Sequence, residues 1–296
     1  MSPPEAGPLV RHEVRGRTLV LTLDHPPVNV LSRPVLEALS AHLTDAVHDL
    51  RVHAVVLASA AEKAFAAGAD IREMAELDPE RARVHGARGQ AVTRLIERLP
   101  LPVIAAVNGV CFGGGCELVL ACDLVVASED AQFGQPEINL GVMPGWGGTR
   151  RLPRRIGASQ ARRWIFTGRP VGSRDAEAQG LVDRVVPRTE LLTTAIALAD
   201  EIGSKPPLAV AAAKFSIARA LDPSIDEGLA YELDLWSRLF GTPGQREGMS
   251  AFLAKRSPVP MGREDWESQS TGFPWSEEAG RRPERKGDKR PTTGTG

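Results

Sequence analysis

Apolar and polar positions change their spacing several times along the chain, and each change marks an element. From Arg17 to Asp24 (RTLVLTLD) the two alternate with period two, the signature of a half-buried strand, pairing across Gly16 with His12–Arg15. From Arg33 to Leu50 the apolar residues Val35, Leu36, Leu39, Leu43, Val47 and Leu50 fall on one helical face, with Ser32 at the cap position and Pro34 in the first turn. Ala54–Ala58 (AVVLA) and Val103–Val107 (VIAAV) are continuous apolar runs, as strands buried on both faces require. A turn at Gly68 leads into helical pattern through Glu80–Leu99, and Gly114–Cys122 reads as a helix before another strand at Asp123–Ala127. This repeated strand and helix rhythm predicts an α/β fold with a mostly parallel sheet.

Beyond Lys205 the pattern is helical only, over Leu208–Leu221, Ile225–Phe240 and Arg246–Arg256. Leu229, Leu233, Trp236 and Phe240 make an apolar stripe that calls for a partner surface. In the forty residues from Ser257 onward there are six hydrophobic residues and nineteen Gly, Pro, Ser or Thr. That composition predicts a disordered tail, with Trp266, Phe273 and Trp275 as its only means of docking. The expected organisation is a catalytic core over 1–205, a helical assembly region over 206–256 and the tail over 257–296.

Composition narrows the function classes. Of 296 residues, 36 are basic and 37 acidic, a net charge of −1, and aromatic residues make up 5%. Both figures weigh against a general nucleic-acid surface. The uncharged stretch Leu99–Cys116 approaches membrane-span length, but its two prolines, Asn108 and four glycines suit a strand, turn and helix start instead. Without an apolar stretch in the first residues the chain reads as cytoplasmic, and Cys111, Cys116 and Cys122 read as small buried side chains. The spacing of the cysteines and six histidines matches no metal site, and neither glycine cluster matches a nucleotide-binding loop.

The remaining chemistry sits in two segments, Ala64–Met74 (AFAAGADIREM) and Ile104–Leu118 (IAAVNGVCFGGGCEL). In each, an apolar stretch runs into small residues and a helix start, where backbone N–H groups stay unpaired. Two such groups converging on one oxygen would form an oxyanion hole. Glu117, in the first turn after the glycines, and Glu137, after Phe133-Gly-Gln-Pro136, are the candidate proton-handling groups.

Four ordered motifs, AFAAGAD, AAVNG-x-x-x-GGGCEL, AQFGQPEI-x-LG and PG-x-GGT-x-RL, resemble the enoyl-CoA hydratase/isomerase (crotonase) superfamily, with similarity from about Arg11 to Arg256. The resemblance implies a crotonase-like spiral of repeated ββα units and a C-terminal helical region for trimerisation, as a homotrimer or a hexamer of two trimers. It implies hydration of 2-trans-enoyl-CoA to 3-hydroxyacyl-CoA. Glu117 and Glu137 would act on one water, and the N–H groups of Ala69 and Gly114 would hold the thioester oxygen. Coenzyme A would enter as part of the substrate, with no separate cofactor and no metal. Its binding residues would be Pro26, Val28, Val30, Lys63, Ala67, Ala69, Asp70, Ile71, Arg72, Gly114, Phe252 and Lys255. Departures from the pattern are Gly241–Gln245, less acidic than usual before REGM, and the segment after Ser257.

Other readings compete. The same scaffold supports double-bond isomerisation and other acyl-CoA chemistry. An RNA-binding role would use Arg81, Arg83, Arg88, Arg94 and Arg98 with the six arginines of 150–163, against the balanced charge. A non-catalytic scaffold would have no need of both glutamates.

Overall fold

The computed structural model describes residues 7–219, 225–263, 266–271 and 273–275. The hairpin β1 (Val10–Arg15) and β2 (Thr18–Leu23) turns at Gly16 and is followed by helix α1 (Arg33–His48). Three strand–strand–helix units come next. The first holds β3 (Ala54–Ser59), β4 (Ala64–Ala66) and the helices α2 (Ile71–Ala75) and α3 (Pro79–Arg98). The second holds β5 (Val103–Val107), β6 (Val110–Phe112) and α4 (Gly114–Ala121). In the third, β7 (Leu124–Ser128) and β8 (Gln132–Gly134) lead through a 3-10 turn at Pro136–Leu140 into α5 (Gly148–Thr167). The chain continues with β9 (Val171–Gly172), α6 (Ser173–Ala178), β10 (Arg184–Val186) and α7 (Leu191–Gly203). Consecutive helices α8 (Pro207–Arg219), α9 (Ile225–Arg238) and α10 (Pro243–Leu253) follow, then a short α11 (Trp266–Gln269).

Within each unit the two strands enter different sheets. The larger has the order β1-β2-β3-β5-β7-β10 and is parallel except for the β1–β2 pair. The smaller has the order β4-β6-β8-β9. Side chains that alternate along a strand explain the continuous apolar runs. Val56, Ile104, Ala106 and Val126 face Leu191, Ala195 and Ala199 of α7, while Val55, Leu57, Val103, Ala105 and Val125 face the core shared with α1, α3 and α4. Each stepped unit ends where a strand of the small sheet hands over to a helix, which stacks these handover points on one side of the fold.

Lys214 ties α8 to this core. Its buried ammonium donates to the carbonyls of Ile96 (3.0 Å) and Leu101 (2.9 Å) and to Asp123 Oδ2 (2.8 Å). The stripe of Leu229, Leu233, Trp236 and Phe240 is exposed on the single chain, at 46–62%.

The expectation of a disordered tail is corrected over its first part. Trp266, Phe273 and Trp275 are buried with Leu208, Ala211 and Ala212 of α8 and Leu235 of α9. The average composition of forty residues predicts disorder, whereas the three large rings that the sequence offered for docking concentrate the apolar area. Residues 276–296, for which disorder was also expected, lie outside the described residues.

Candidate active site

Three handover points converge. Gly68, at φ +98°, turns the chain from β4 towards α2, and a Cβ there would stand 3.1 Å from the Phe112 carbonyl oxygen and 3.4 Å from the Gly114 nitrogen. Only a residue without a side chain lets these two turns lie so close. The Ala69 and Gly114 backbones are therefore neighbours. Asp70 caps α2 by accepting the Arg72 N–H at 2.9 Å.

The turn at Pro26–Val30 joins the same loop. The Ala67 N–H donates to the Val28 carbonyl (3.0 Å), and the Leu31 N–H to that of Gly68 (2.8 Å). Buried Asn29 holds this junction: its amide donates to Ser59 Oγ (2.8 Å) and the Phe65 carbonyl (2.9 Å), and its Oδ1 accepts the His25 N–H (2.8 Å).

Glu117 lies inside the first turn of α4, 2% exposed. Its Oε1 accepts two backbone N–H groups, from Trp146 and Gly148, both at 2.7 Å. Burial raises the pKa of this carboxyl, and the two N–H groups and the Arg151 charge oppose the rise. Its charged form therefore has specific partners. The Trp146 ring lies against Gly114, where a Cβ would meet it at 2.5 Å, and against Gly89 of α3.

Glu137 lies in the 3-10 turn with its carboxylate beside Gly113, where a Cβ would come within 3.3 Å of Oε1. Burial pushes its pKa up to about 7, and the neighbouring charge of Glu117 adds to the rise. Gln135, fully buried, donates its amide to Glu137 Oε1 (3.0 Å) and Oε2 (3.3 Å) in the orientation that satisfies both groups. The environments thus differ: Glu117 is held as an acceptor, and Glu137 retains a proton towards neutral pH. Burial raises the pKa of both carboxyls, and what distinguishes them is the pair of backbone N–H groups that anchors Glu117. Such an arrangement can serve as base and acid on one small molecule.

Sequence reasoning singled out Glu117, Glu137, Ala69, Gly114 and Ala67, and the structure brings these together. It missed Gln135, Asn29 and the two N–H groups that orient Glu117. A glutamine directly before Pro136-Glu137 was the one available signal. Pro26, Val28 and Val30 border the loop, whereas Lys63 and Arg72 are exposed, the latter beside Asp70 at 3.6 Å. Ile71 is also exposed. Phe252 stands 84% exposed at the end of α10, and Lys255 follows at φ +51°. Of the 150–163 arginines, Arg151 is bound to Glu97 (2.6 Å) and Arg155 to the Asp123 carbonyl (3.0 Å), so they do not form one free basic face. Among the described residues no cluster of His, Cys, Asp and Glu could hold a metal ion, and no helix is long and apolar enough to cross a membrane.

Residues 13–263 match the enoyl-CoA hydratase/isomerase family. A short-chain-enoyl-CoA hydratase of Clostridium acetobutylicum is 42% identical over 245 residues, covering 82% of this chain and 94% of that protein. A crotonyl-CoA hydratase of Syntrophomonas wolfei is 40% identical over the same length, with the same shares covered. An enoyl-CoA hydratase crystal structure from Mycobacterium smegmatis superposes with a TM-score of 0.82 at 38% identity, covering 86% of this chain and 99% of that one. With the spiral of ββα units and the paired carboxyls already in place, these matches leave one assignment: the chain belongs to the enoyl-CoA hydratase/isomerase family.

Proposed function

We propose that the protein hydrates 2-trans-enoyl-CoA to 3-hydroxyacyl-CoA. The N–H groups of Ala69 and Gly114 hold the thioester carbonyl oxygen. Glu117, ionised, takes a proton from water as the water oxygen bonds to the β-carbon. The electron pair of the double bond moves towards the carbonyl and leaves enolate-like charge on the thioester oxygen. Glu137, in its acid form, supplies the proton that the α-carbon takes up. A hydroxyl from water and a proton from Glu137 are thereby added, and the sum is one water once the proton left on Glu117 returns to Glu137 through solvent. The two N–H groups are strongest when the enolate-like charge is greatest.

The observation that carries the reading is the difference between the two carboxyls beside Gly113–Gly114. One accepts two backbone N–H groups at 2.7 Å, and the other has a pKa pushed up to about 7. Coenzyme A belongs to the substrate, and the reaction needs no redox partner. Pro26, Val28, Val30, Ala67, Asp70, Ile71 and Arg72 line its approach, with Lys63 and Arg72 as phosphate partners. Phe252 and Lys255 would close over coenzyme A from a neighbouring subunit of a homotrimer or a hexamer, consistent with the exposed stripe on α9 and the exposure of Phe252 on the single chain.

Incubation with a series of enoyl-CoA thioesters from four to sixteen carbons tests the reading through loss of the conjugated thioester absorbance. Turnover of at least one chain length is expected. Full turnover by a Glu117→Gln, Glu137→Gln double variant would overturn the assigned roles.

A further inference from the structure

The chain past Met261 extends almost wholly beyond the family match at residues 13–263, and its described residues up to Trp275 are anchored at two places. It leaves α10 by a folded route. Glu247 pairs with Arg256 (2.6 Å) and accepts the Val259 N–H (2.7 Å), so the segment turns back towards the spiral. There the Met261 carbonyl accepts Arg17 Nη1 (2.9 Å), next to the β1–β2 turn.

Arg263 is then inserted at the end of α1. It is 1% exposed and donates to the carbonyls of Val52 (2.6 Å), Val47 (2.9 Å) and Asp49 (3.3 Å). These carbonyls lie at and just past a helix C-terminus, where acceptors lack helical partners and a cation is favoured. Burial lowers the pKa of Arg263 only to about 10, and the Asp49 charge opposes the change, so the guanidinium stays charged. Its face lies 4.3 Å from the Trp266 ring centroid.

From Trp266 onward the anchor is the helical region. Trp275 packs against Phe273 at 4.7 Å and against Phe215 of α8 at 5.0 Å between ring centroids. With Trp266, these rings cover the side of α8 and α9 that carries Leu208, Ala211 and Leu235. One stretch of chain thus grips the spiral at α1 and the hairpin, and the helices at α8 and α9.

We propose that this stretch is an intramolecular strap, pinned by Arg263, that holds α8–α10 in one orientation on the spiral and so positions Phe252 and Lys255 for coenzyme A. The part concerning coenzyme A rests on the function proposed above. Arg263 is a positioning residue, acting through α10 and never through the reacting atoms.

Two variants test it: a chain ending after Pro260, and the full chain with Arg263→Met, which keeps the bulk and removes the donors. Amide hydrogen exchange is followed in α8–α10 and in β3 and β5. Steady-state rates are measured with crotonyl-CoA and with crotonyl-N-acetylcysteamine, a thioester lacking the nucleotide. Exchange in α9 and α10 is expected to accelerate about 10-fold or more, with β3 and β5 unchanged. KM for crotonyl-CoA is expected to rise about 5-fold or more, with kcat within about 2-fold and the short thioester unaffected. Unchanged exchange in α9 and α10 overturns the strap, and faster exchange with an unchanged KM overturns its positioning role. If the truncated chain does not fold, Arg263→Met decides. Should the natural chain turn over no enoyl-CoA, the proposed function fails, while the exchange data still judge the strap.

Discussion

Replacing Glu137 by Gln removes an ionisable group from a place that resists its charge, so activity and stability should move in opposite directions. In the folded chain the Glu137 carboxyl titrates near about 7, against an ordinary 4.5. Between those values the folded chain keeps a proton that the unfolded chain releases. The group's contribution to stability is therefore fully present below about pH 4.5 and is lost as pH rises through about 7. At about 1.4 kcal/mol for each pH unit, the loss has a ceiling of about 3 kcal/mol. Glu137 is only partly buried, and screening by solvent brings the expected value to about 1–2 kcal/mol. The amide that replaces the carboxyl cannot titrate, and its carbonyl can still accept from Gln135. The variant should match the natural protein at about pH 4 and exceed it by that amount at about pH 8. Urea unfolding at fixed protein concentration over this pH range measures the gap. A gap that stays flat with pH, or a variant less stable at pH 8 than the natural chain, would refute the reasoning.

The same carboxyl sets the pH dependence of turnover. The free-enzyme kcat/KM should fall as pH rises through about 7, when Glu137 loses the proton it must donate, and a profile flat through that region would contradict the assignment. Gly89→Ala drives a Cβ into the ring of Trp146, whose backbone N–H orients Glu117. Thermal unfolding should show a loss of about 1–3 kcal/mol, accompanied by reduced kcat. Lys214→Met leaves two buried carbonyls unpaired and strips Asp123 of its cation, for which a loss of about 3–5 kcal/mol is expected in urea unfolding.

Strands β2, β3, β5 and β7 of the larger sheet were legible because each is five or six residues long and carries a clear apolar pattern, whereas its three-residue edge strand β10 was not. Those of the smaller sheet have only two or three residues, too few for any period, yet they deliver the chain to the site. Glu117 and Glu137 stood out because each follows a glycine turn within an apolar segment. The partners that distinguish them were hidden for two reasons. Trp146 and Gly148 act through backbone N–H groups, which any residue but proline supplies. Gln135 acts through burial, which only the folded chain creates. Ser32 shows the reverse case: it occupies the cap position of α1 as its pattern predicts, but its side chain accepts no capping hydrogen bond. In the tail, Arg263 and three aromatic rings meet partners from about thirty to more than two hundred residues away, a separation no local pattern can report.

The central claim is addition of both elements of water to an enoyl-CoA, as distinct from movement of its double bond. The most direct test is the mass of the product formed from crotonyl-CoA in water labelled with heavy oxygen. The account predicts a product heavier by one labelled water, with the label at the β-carbon. A product of unchanged mass would mean isomerisation and would contradict it.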